Sequence, residues 1–372
     1  MKNSTSKSEL QRALQKLSKA TPTRSTIPIL SCVLIEATEE GTTLRSTDLE
    51  ITIITSIESS IEDPGSAAIP LQPLSEITSE LPDDTRITIE VNENNNVKII
   101  TEIGSYDLMG KPADEFPATP ELNQRLDMGI DANILNEMIS TVSFAVSRDD
   151  LKPSLTGVYF KFEKESLTAV ATDGHRLAKY VRSDFKAGEF QGEVIVPRKF
   201  LNIINSYISK DETTQLLLGD SVFTATIGAD TIYTRIIDER FPDYQSVIPT
   251  DNEKEIRASC DELLSAVKRV SIFSNKATHQ IAIRASNGSA TITTEDPEKA
   301  SKAQETINIE YDGDSIDVGY NAAYLKDILA HMKSDKIVIK LNTPISAGLF
   351  YPTSLNDNVE ITMLLMPIRL ND

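Results

Sequence analysis

The chain has 372 residues, of which 40% are apolar and 25% charged, a length at which one hydrophobic core usually gives way to several domains. It contains no apolar run of 18 residues, and the polar stretch 1–7 leads into no apolar segment, so we expect neither a membrane span nor a secretory signal. Cys32 and Cys260 stand alone in apolar stretches, which favours a reducing cytoplasm, and the net charge of −19 argues against simple adhesion to nucleic acid.

Six amphipathic helices alternate with runs of strands. In chain order we predict helices over 7–20, 71–80, 131–146, 198–209, 261–276 and 321–333. Apolar residues at helical spacing define the inward faces: Leu10, Leu14 and Leu17; Leu135, Met138, Val142 and Ala145; Leu201, Ile204 and Ile208; Leu264, Val267 and Val270 or their neighbours; and Leu325, Ile328, Leu329 and Met332. Runs such as 157–162 and 336–341 are rich in valine, isoleucine and aromatics and predict strands.

Two sequence markers recur along the chain. The pairs Phe116-Pro117, Phe241-Pro242 and Met366-Pro367 are spaced by 125 residues, and a hydroxyl residue followed by an acid recurs in register at positions 47, 172 and 294. This periodicity predicts three homologous domains, which we place at 1–120, 128–245 and 251–372. Segregated helices and hairpin-linked strands predict an α+β fold, with two helices per domain packed on antiparallel sheets.

The sequence lacks the usual signatures of an enzyme. It has three histidines, without the spacings CxxC, HxH or HExxH, so we expect no metal site and no cofactor. No phosphate-binding loop is present, since the string from Met109 to Pro112 lacks the preceding glycine, and neither GxSxG nor GxGxxG occurs. We therefore predict a non-catalytic protein.

The acidic total hides an uneven distribution of charge. The helical segments together are slightly positive, so the acid excess lies elsewhere; Arg12, Lys16 and Lys19 form a basic stripe on the first helix. This pattern indicates either solvated helix faces or one face turned toward a polyanion.

The size of the predicted domains limits how they could surround DNA. Three domains, each about 35 Å across, cannot surround a duplex, but six in a ring leave a hole of roughly 35 Å. A dimer could therefore encircle DNA.

Five strings resemble one known family. They are 28–30 (Pro-Ile-Leu), 171–178 (Ala-Thr-Asp-Gly-His-Arg-Leu-Ala), 196–199 (Val-Pro-Arg-Lys), 240–244 (Arg-Phe-Pro-Asp-Tyr) and 366–370 (Met-Pro-Ile-Arg-Leu), and they resemble the bacterial DNA polymerase III β subunit, the β sliding clamps. The resemblance runs from end to end. It implies a head-to-tail homodimeric ring of six domains around duplex DNA in the bacterial cytoplasm. The ring would be loaded by an ATP-dependent clamp loader, and it would tether the polymerase III catalytic subunit, other polymerases and repair factors.

The resemblance also implies three sites. The first is a peptide pocket between the second and third domains, made of Leu155, Thr172, Gly174, His175, Arg176, Leu177, Pro242, Val247, Asn321, Tyr324, Leu364, Leu365, Met366, Pro367, Ile368 and Arg369. The second is the DNA-facing surface, with Arg24 and the weaker candidates Arg12, Lys152, Arg198 and Lys199. The third is the dimer interface, with Tyr106 and Leu108 on one side and Ile272 and Phe273 on the other.

Some positions depart from the family pattern. Pro153, Ser154 and Ser246 differ from the residues that the family often carries, which leaves the ranking of peptide partners undecided. Asn371 and Asp372 extend past the usual ending.

Other interpretations of the chain stay open. The chain could instead be a monomeric three-domain peptide scaffold without DNA encirclement. A third alternative is a hydrolase that uses Asp173 and His175, for which the sequence identifies no nucleophile.

Overall fold

The computed structural model describes residues 1–22, 24–123, 126–186, 191–208 and 213–370. Asn371 and Asp372 lie outside these residues. The chain divides into two compact units: unit 1 contains Met1–Ile134 and Lys199–Ile236, and unit 2 contains Leu135–Arg198 and Ile237–Asp372. Each unit therefore takes segments from more than one sequence repeat.

The described residues form six α-helices and 25 strands. The helices are α1 (Lys7–Leu17), α2 (Leu71–Glu80), α3 (Ala132–Val142), α4 (Arg198–Asn205), α5 (Cys260–Ser271) and α6 (Ala322–His331). The strands are β1 (Lys2–Ser6), β2 (Cys32–Thr38), β3 (Gly41–Thr47), β4 (Ile51–Ile57), β5 (Ser60–Asp63), β6 (Gly65–Pro70), β7 (Arg86–Val91), β8 (Asn96–Ile100), β9 (Ser105–Met109), β10 (Leu126–Asp131), β11 (Gly157–Phe162), β12 (Leu167–Thr172), β13 (Arg176–Arg182), β14 (Gly192–Pro197), β15 (Thr213–Leu218), β16 (Val222–Ile227), β17 (Asp230–Arg235), β18 (Lys254–Ser259), β19 (Gln280–Ser286), β20 (Ser289–Asp296), β21 (Ser301–Glu310), β22 (Ile316–Asn321), β23 (Lys336–Leu341), β24 (Gly348–Pro352) and β25 (Val359–Leu365).

Unit 1 holds two antiparallel sheets. Five strands follow the order β5-β1-β7-β8-β9, and eight follow the order β10-β15-β16-β17-β4-β3-β2-β6. In the larger sheet β4 of the first repeat pairs with β17 of the second, with Ile51 opposite Thr234 and Thr55 opposite Asp230. One sheet thus continues from the first repeat into the second.

Unit 2 holds a single run of twelve strands. Their order is β14-β11-β12-β13-β25-β24-β23-β18-β21-β20-β19-β22, and every pair is antiparallel. Here β13 of the second repeat pairs with β25 of the third over seven residues, from Arg176 opposite Leu365 to Arg182 opposite Val359. This pairing holds the string that begins at Ala171 beside the C-terminal string.

Three of the helices, α1, α5 and α6, begin at a capping side chain. The Ser6 hydroxyl accepts a hydrogen bond from the Glu9 N–H at the start of α1, Ser259 does the same for Glu262 in α5, and Asn321 accepts from two N–H groups of α6. The predicted inward residues Leu10, Leu14 and Leu17 are fully buried. The helix predicted over 71–80 has those bounds.

Other helix predictions need small corrections. The fourth helix ends at Asn205 rather than 209, where the Ser206 hydroxyl donates to the Ile203 carbonyl and competes with the helical bonding pattern. The sixth spans Ala322–His331, because Asn321 is its cap. In α5 the buried face includes Leu263, and Leu264 is only half-buried.

The α+β prediction is confirmed. In unit 1 α1 packs beside α2, and in unit 2 α5 packs beside α6, each pair lying against antiparallel strands. Cys32 and Cys260 are both buried and unpaired, as their isolation in apolar stretches indicated. Among the described residues, no helix has the length and apolar character needed to cross a membrane.

Candidate functional site

An apolar cluster in unit 2 gathers residues from both halves of the predicted pocket. Its buried members are Leu155, Tyr159, Val170, Leu177, Ile195, Phe241, Tyr244, Ala347, Leu349 and Leu364, and Ile237, Ile248 and Tyr351 pack against it. The Phe241 and Tyr159 rings stack with centroids 4.8 Å apart, and Tyr244 meets Phe241 edge-on. Leu155, Leu177 and Leu364, which the sequence predicted for the pocket, lie in the cluster.

Exposed apolar residues stand beside this cluster. Val247 is 54% exposed and precedes Ile248, which packs on the cluster, while Met366 is 42% exposed and follows the last strand. The Met366 N–H donates to the His175 carbonyl at 2.9 Å, so the two strings meet here. Pro242, also exposed, lies between Phe241 and Tyr244. The arrangement is an apolar floor with apolar side chains left at the surface, which suits a short apolar peptide segment.

A tight turn joins β12 to β13. The Thr172 hydroxyl accepts the Gly174 N–H and donates to the Arg176 carbonyl, and Asp173 accepts the N–H groups of His175 and Arg176. Gly174 has φ of +90°, a conformation that glycine adopts without a steric penalty. The exposed His175 ring stacks on Tyr324 at 5.9 Å. Asp173 is thus occupied by the turn and does not orient the His175 imidazole, which leaves the hydrolase alternative without a dyad.

The guanidinium of Arg176, which the resemblance assigns to the pocket, binds groups inside the protein. It is 8% exposed, and its nitrogens bind the Asp173 carboxylate at 3.0 Å, the Asp327 carboxylate at 2.6 Å and the Phe144 carbonyl at 2.9 Å. Its planar group also lies 4.6 Å from the Tyr324 ring centroid and 5.3 Å from that of Phe144. Arg176 therefore positions the wall of the site.

Several predicted pocket residues serve the fold around the site. Asn321 caps α6, and Leu365 is fully buried. Beyond β25, Pro367 is half-buried, and Ile368 donates its N–H to the Gly319 carbonyl at 2.8 Å, which holds the terminal segment along β22. Arg369 is exposed.

Sequence reasoning missed part of the floor. Tyr244 stood in the string 240–244, but Ala347 and Tyr351 were not predicted. Tyr351 lies on β24 and Ala347 directly before it, a segment whose only sequence signal is that of an ordinary strand. Their membership depends on the pairing of β24 with β25, which no local pattern encodes.

The predicted DNA-facing cations differ in what they already bind. Arg12 forms an ion pair with Glu9, and Lys199 forms one with Asp48. Arg198 is half-buried, and burial, reinforced by the neighbouring Arg148 and Arg176, lowers its pKa. Arg24 and Lys152 are exposed, and within the described ranges neither has an ion-pair partner. Their role as DNA contacts stays a prediction.

The predicted interface residues lie at two open strand edges. Tyr106 and Leu108 are half-buried on β9, the last strand of the five-stranded sheet in unit 1. In unit 2, β21 pairs with β20 over residues 301–308 and with β18 only at Ile309 and Glu310. Among the described residues, its stretch 301–308 is therefore unpaired on the side of β18. Ile272 and Phe273, 77% and 45% exposed, lie beside this edge, where the Phe273 carbonyl accepts the Ser301 hydroxyl.

Comparisons with known proteins all lead to one family. Three family models match, described as the DNA polymerase III beta subunit N-terminal domain (residues 1–120), central domain (129–243) and C-terminal domain (245–369). Beta sliding clamps of Pseudomonas putida and Pseudomonas aeruginosa are each 30% identical over 97% of this chain and 98% of their own length.

Solved structures match over the whole chain. The DNA polymerase III subunit beta of Pseudomonas aeruginosa has a TM-score of 0.94 at 29% identity, and the sliding clamp of Bartonella birtlesii, solved bound to griselimycin, has 0.94 at 27%. The Caulobacter crescentus clamp has 0.93 at 30%, and all three matches cover 100% of both chains. The resemblance inferred from the five strings is confirmed: the chain belongs to the DNA polymerase III beta subunit family, the β sliding clamps.

Proposed function

We propose that this chain acts as a DNA sliding clamp that closes around duplex DNA as a head-to-tail homodimer and tethers the polymerase through its peptide pocket. Each chain supplies three clamp domains, which we place at 1–120, 128–245 and 251–372, so two chains supply six. The protein itself is non-catalytic. The absence of a phosphate-binding loop from the sequence supports its dependence on a separate ATP-driven loader.

The observation that carries the proposal is the pair of open strand edges. Unpaired N–H and C=O groups along an exposed strand are a template for pairing with another chain. One edge, β9, lies in unit 1, and the other, residues 301–308 of β21, lies in unit 2. Different surfaces at the two sides make a heterologous contact, which two copies can satisfy twice when the ring closes. Ile272 and Phe273 add exposed apolar area beside the second edge.

Encirclement fits the charge of the chain. A protein of net charge −19 gains little from general attraction to a polyanion. A closed ring needs only scattered phosphate contacts, for which Arg24 and Lys152 are unpaired cations among the described residues. Such contacts do not distinguish base sequences, so the duplex can slide.

The pocket supports tethering of partner proteins. The exposed Val247 and Met366 beside the buried cluster would receive the large apolar side chains of a flexible segment. The clamps of Pseudomonas aeruginosa and Bartonella birtlesii have been solved with griselimycin bound. We propose that the same pocket takes segments of the polymerase III catalytic subunit, other polymerases and repair factors. The two buried free thiols support a cytoplasmic site of action.

Loading onto closed and open DNA tests the function directly. Protein loaded with a clamp loader and ATP onto nicked circular DNA should remain bound during gel filtration in high salt, and cutting the circle once should release it, because a ring slides off a free end. A measured mass near that of two chains should accompany retention. Equal retention on circular and linear DNA, or a monomer that binds peptide without being retained, would contradict the proposal.

A further inference from the structure

A cavity of about 320 Å³ opens in unit 1, and its lining includes none of the residues predicted to contact DNA. Lys16 and Lys19 of the first helical segment line one side, and Ser206 and Tyr207, which follow α4, line another. Residues 227–230, from the end of β16 through the turn to the start of β17, complete the wall. A Cβ placed on Gly228 in this turn would meet no atom within 4 Å, so the rim is open to an incoming group.

The two lysines are held by one aromatic ring. The Lys19 ammonium lies 4.6 Å from the Tyr207 ring centroid, and the Lys16 ammonium lies 5.8 Å from it. The Tyr207 hydroxyl donates to the Lys16 carbonyl at 2.9 Å, which ties the ring to α1. Burial, reinforced by Asp230, raises the pKa of Tyr207, so the phenol stays neutral and adds no negative charge to the cavity. The site is therefore arranged before any ligand arrives.

The charges in the cavity leave one cation uncompensated. Lys16 forms an ion pair with the buried Asp230 carboxylate at 2.6 Å. Lys19 instead contacts the Ser206 hydroxyl oxygen at 2.6 Å, and within the described part of the chain no carboxylate lies within 4 Å of its ammonium. Burial, reinforced by the neighbouring Lys16, lowers the pKa of Lys19. Asp230 opposes this shift, and an anion bound beside the ammonium would oppose it further, because a negative charge favours the charged form of Lys19.

The three cations of the basic stripe on the first helical segment therefore differ in what surrounds their charges. Arg12 is paired with Glu9 and Lys16 with Asp230, and only Lys19 presents its charge to an open cavity. The cavity has room for a tetrahedral anion with its attached sugar, and a lysine ammonium is a point charge that can donate to phosphate oxygens in many directions. Such a group suits a contact that must form and break as DNA slides.

We propose that this cavity binds a phosphodiester of the enclosed duplex, with Lys19 as the principal donor. The assignment rests on the proposed encirclement of DNA. In the bound state Lys19 exchanges its hydrogen bond to Ser206 for one to a phosphate oxygen, while Lys16 remains on Asp230 and adds long-range attraction. This contact adds a residue that the sequence analysis placed in the helical stripe but not among the candidate DNA contacts.

The test compares Lys19→Gln with wild type and with Lys340→Gln. Lys340 is a matched control because its ammonium also lies over a tyrosine ring, that of Tyr351 at 5.8 Å, but on strand β23 and beside Glu255. Binding of a short linear duplex is measured by fluorescence anisotropy at increasing salt. Lys19→Gln should reduce the slope of log K against log salt by about 0.9 for each phosphate that the variant no longer neutralises, and Lys340→Gln should leave the slope unchanged.

A second measurement needs no variant. Lysines methylated with ¹³C-formaldehyde and a borohydride reductant keep their charge, and the NMR resonance of Lys19 should shift on addition of the duplex at concentrations where inorganic phosphate has no effect. A shift with phosphate alone, no shift with the duplex, or equal salt slopes for wild type and Lys19→Gln would overturn the assignment. Retention of Lys19→Gln on nicked circular DNA should persist, because closure of the ring does not need this contact. Loss of retention by the wild type would instead contradict encirclement.

Discussion

At the scale of single residues, Arg176 is a motif residue whose guanidinium binds three other parts of unit 2. Its hydrogen bonds join the turn after β12, the loop after α3 and helix α6 within unit 2. Tyr324, over which the guanidinium lies, also stacks on the exposed His175 ring. Arg176 and His175 therefore contact the same Tyr324 ring.

Removing this guanidinium should destabilise the protein. In Arg176→Gln the Asp173 carboxylate, 13% exposed, loses its charged partner in a poorly solvated place. We expect a loss of about 3–5 kcal/mol in the free energy of unfolding, as for other buried pairs that lose one partner. Urea denaturation measures it. Arg284→Gln breaks an exposed pair with Asp317 and should cost less than about 1 kcal/mol; equal losses in the two variants would contradict the role of Arg176.

Met366 is the sharpest probe of the pocket. It is 42% exposed, so Met366→Ala should leave the core intact and remove an apolar contact to the peptide. We expect a loss of about 1–3 kcal/mol in binding free energy, roughly ten- to a hundredfold in affinity for a peptide carrying glutamine and leucine. Isothermal titration calorimetry measures it.

The controls for this experiment follow from burial. Leu177→Ala should weaken binding by a similar amount, but Leu177 is only 2% exposed, so its truncation also creates a cavity in the cluster. Arg24→Ala lies in unit 1 and should leave the affinity unchanged. If Arg24→Ala weakens the peptide as much as Met366→Ala, the pocket assignment fails.

At the scale of elements, β9 and the stretch 301–308 of β21 each leave one strand edge unpaired among the described residues, and these two edges carry or adjoin the residues predicted for the dimer interface. The remaining strands of the same sheets are paired on both sides or lie at ends of the sheet. The unpaired stretch 301–308 is eight residues long, and side chains alternate along it between half-buried and exposed. A strand of this length would be an aggregation hazard unless a specific partner covered it.

Disrupting the apolar residues beside this edge should open the dimer. Replacing Ile272 with alanine and Phe273 with aspartate removes apolar area and places an unpaired charge at the interface. The double variant should sediment as a folded monomer at low micromolar concentration. Leu151→Asp, a change at a leucine that is 91% exposed elsewhere in the chain, should remain dimeric. A dimeric double variant would show that the interface lies elsewhere.

At the scale of the whole molecule, the sheets continue across the boundaries between the sequence repeats. The β4–β17 pairing in unit 1 and the β13–β25 pairing in unit 2 each join strands from different repeats. Sheet hydrogen bonds therefore cross from the first repeat to the second and from the second to the third. A domain cut out at a boundary would lose a neighbour along a full strand.

A fragment of residues 1–120 tests this consequence. It keeps β4 but loses β17, so the edge Ile51–Ile57, rich in isoleucine, becomes exposed. We expect the fragment to self-associate in a concentration-dependent way, measured by light scattering after size-exclusion chromatography. Placing a lysine on that edge, as in Ile54→Lys, should reduce the association, because a charge opposes strand addition. A fragment that stays monomeric at all concentrations would contradict the expectation.

Local patterns in the sequence were enough to predict much of the fold and the family. Apolar spacing located the six helices, since periodicity along a helix is a property of neighbouring residues. Repeated pairs such as Phe116-Pro117 and Phe241-Pro242 indicated three domains, and the string 171–178 with the C-terminal 366–370 identified the family. The peptide pocket that these strings predict stays a prediction.

Only the tertiary structure decided which of these residues meet and which of their groups remain available. Arg176 finds Asp327 across 151 positions, and Lys19 finds Ser206 across 187. Such pairs carry no periodic signal, because they depend on how strands from different repeats align in one sheet and on which side chains then lose water. The sequence determined the elements and the family. Packing decided that Arg176 is buried beside the predicted pocket and that Lys19 lines an open cavity. It also decided that β9 and part of β21 have an unpaired edge among the described residues.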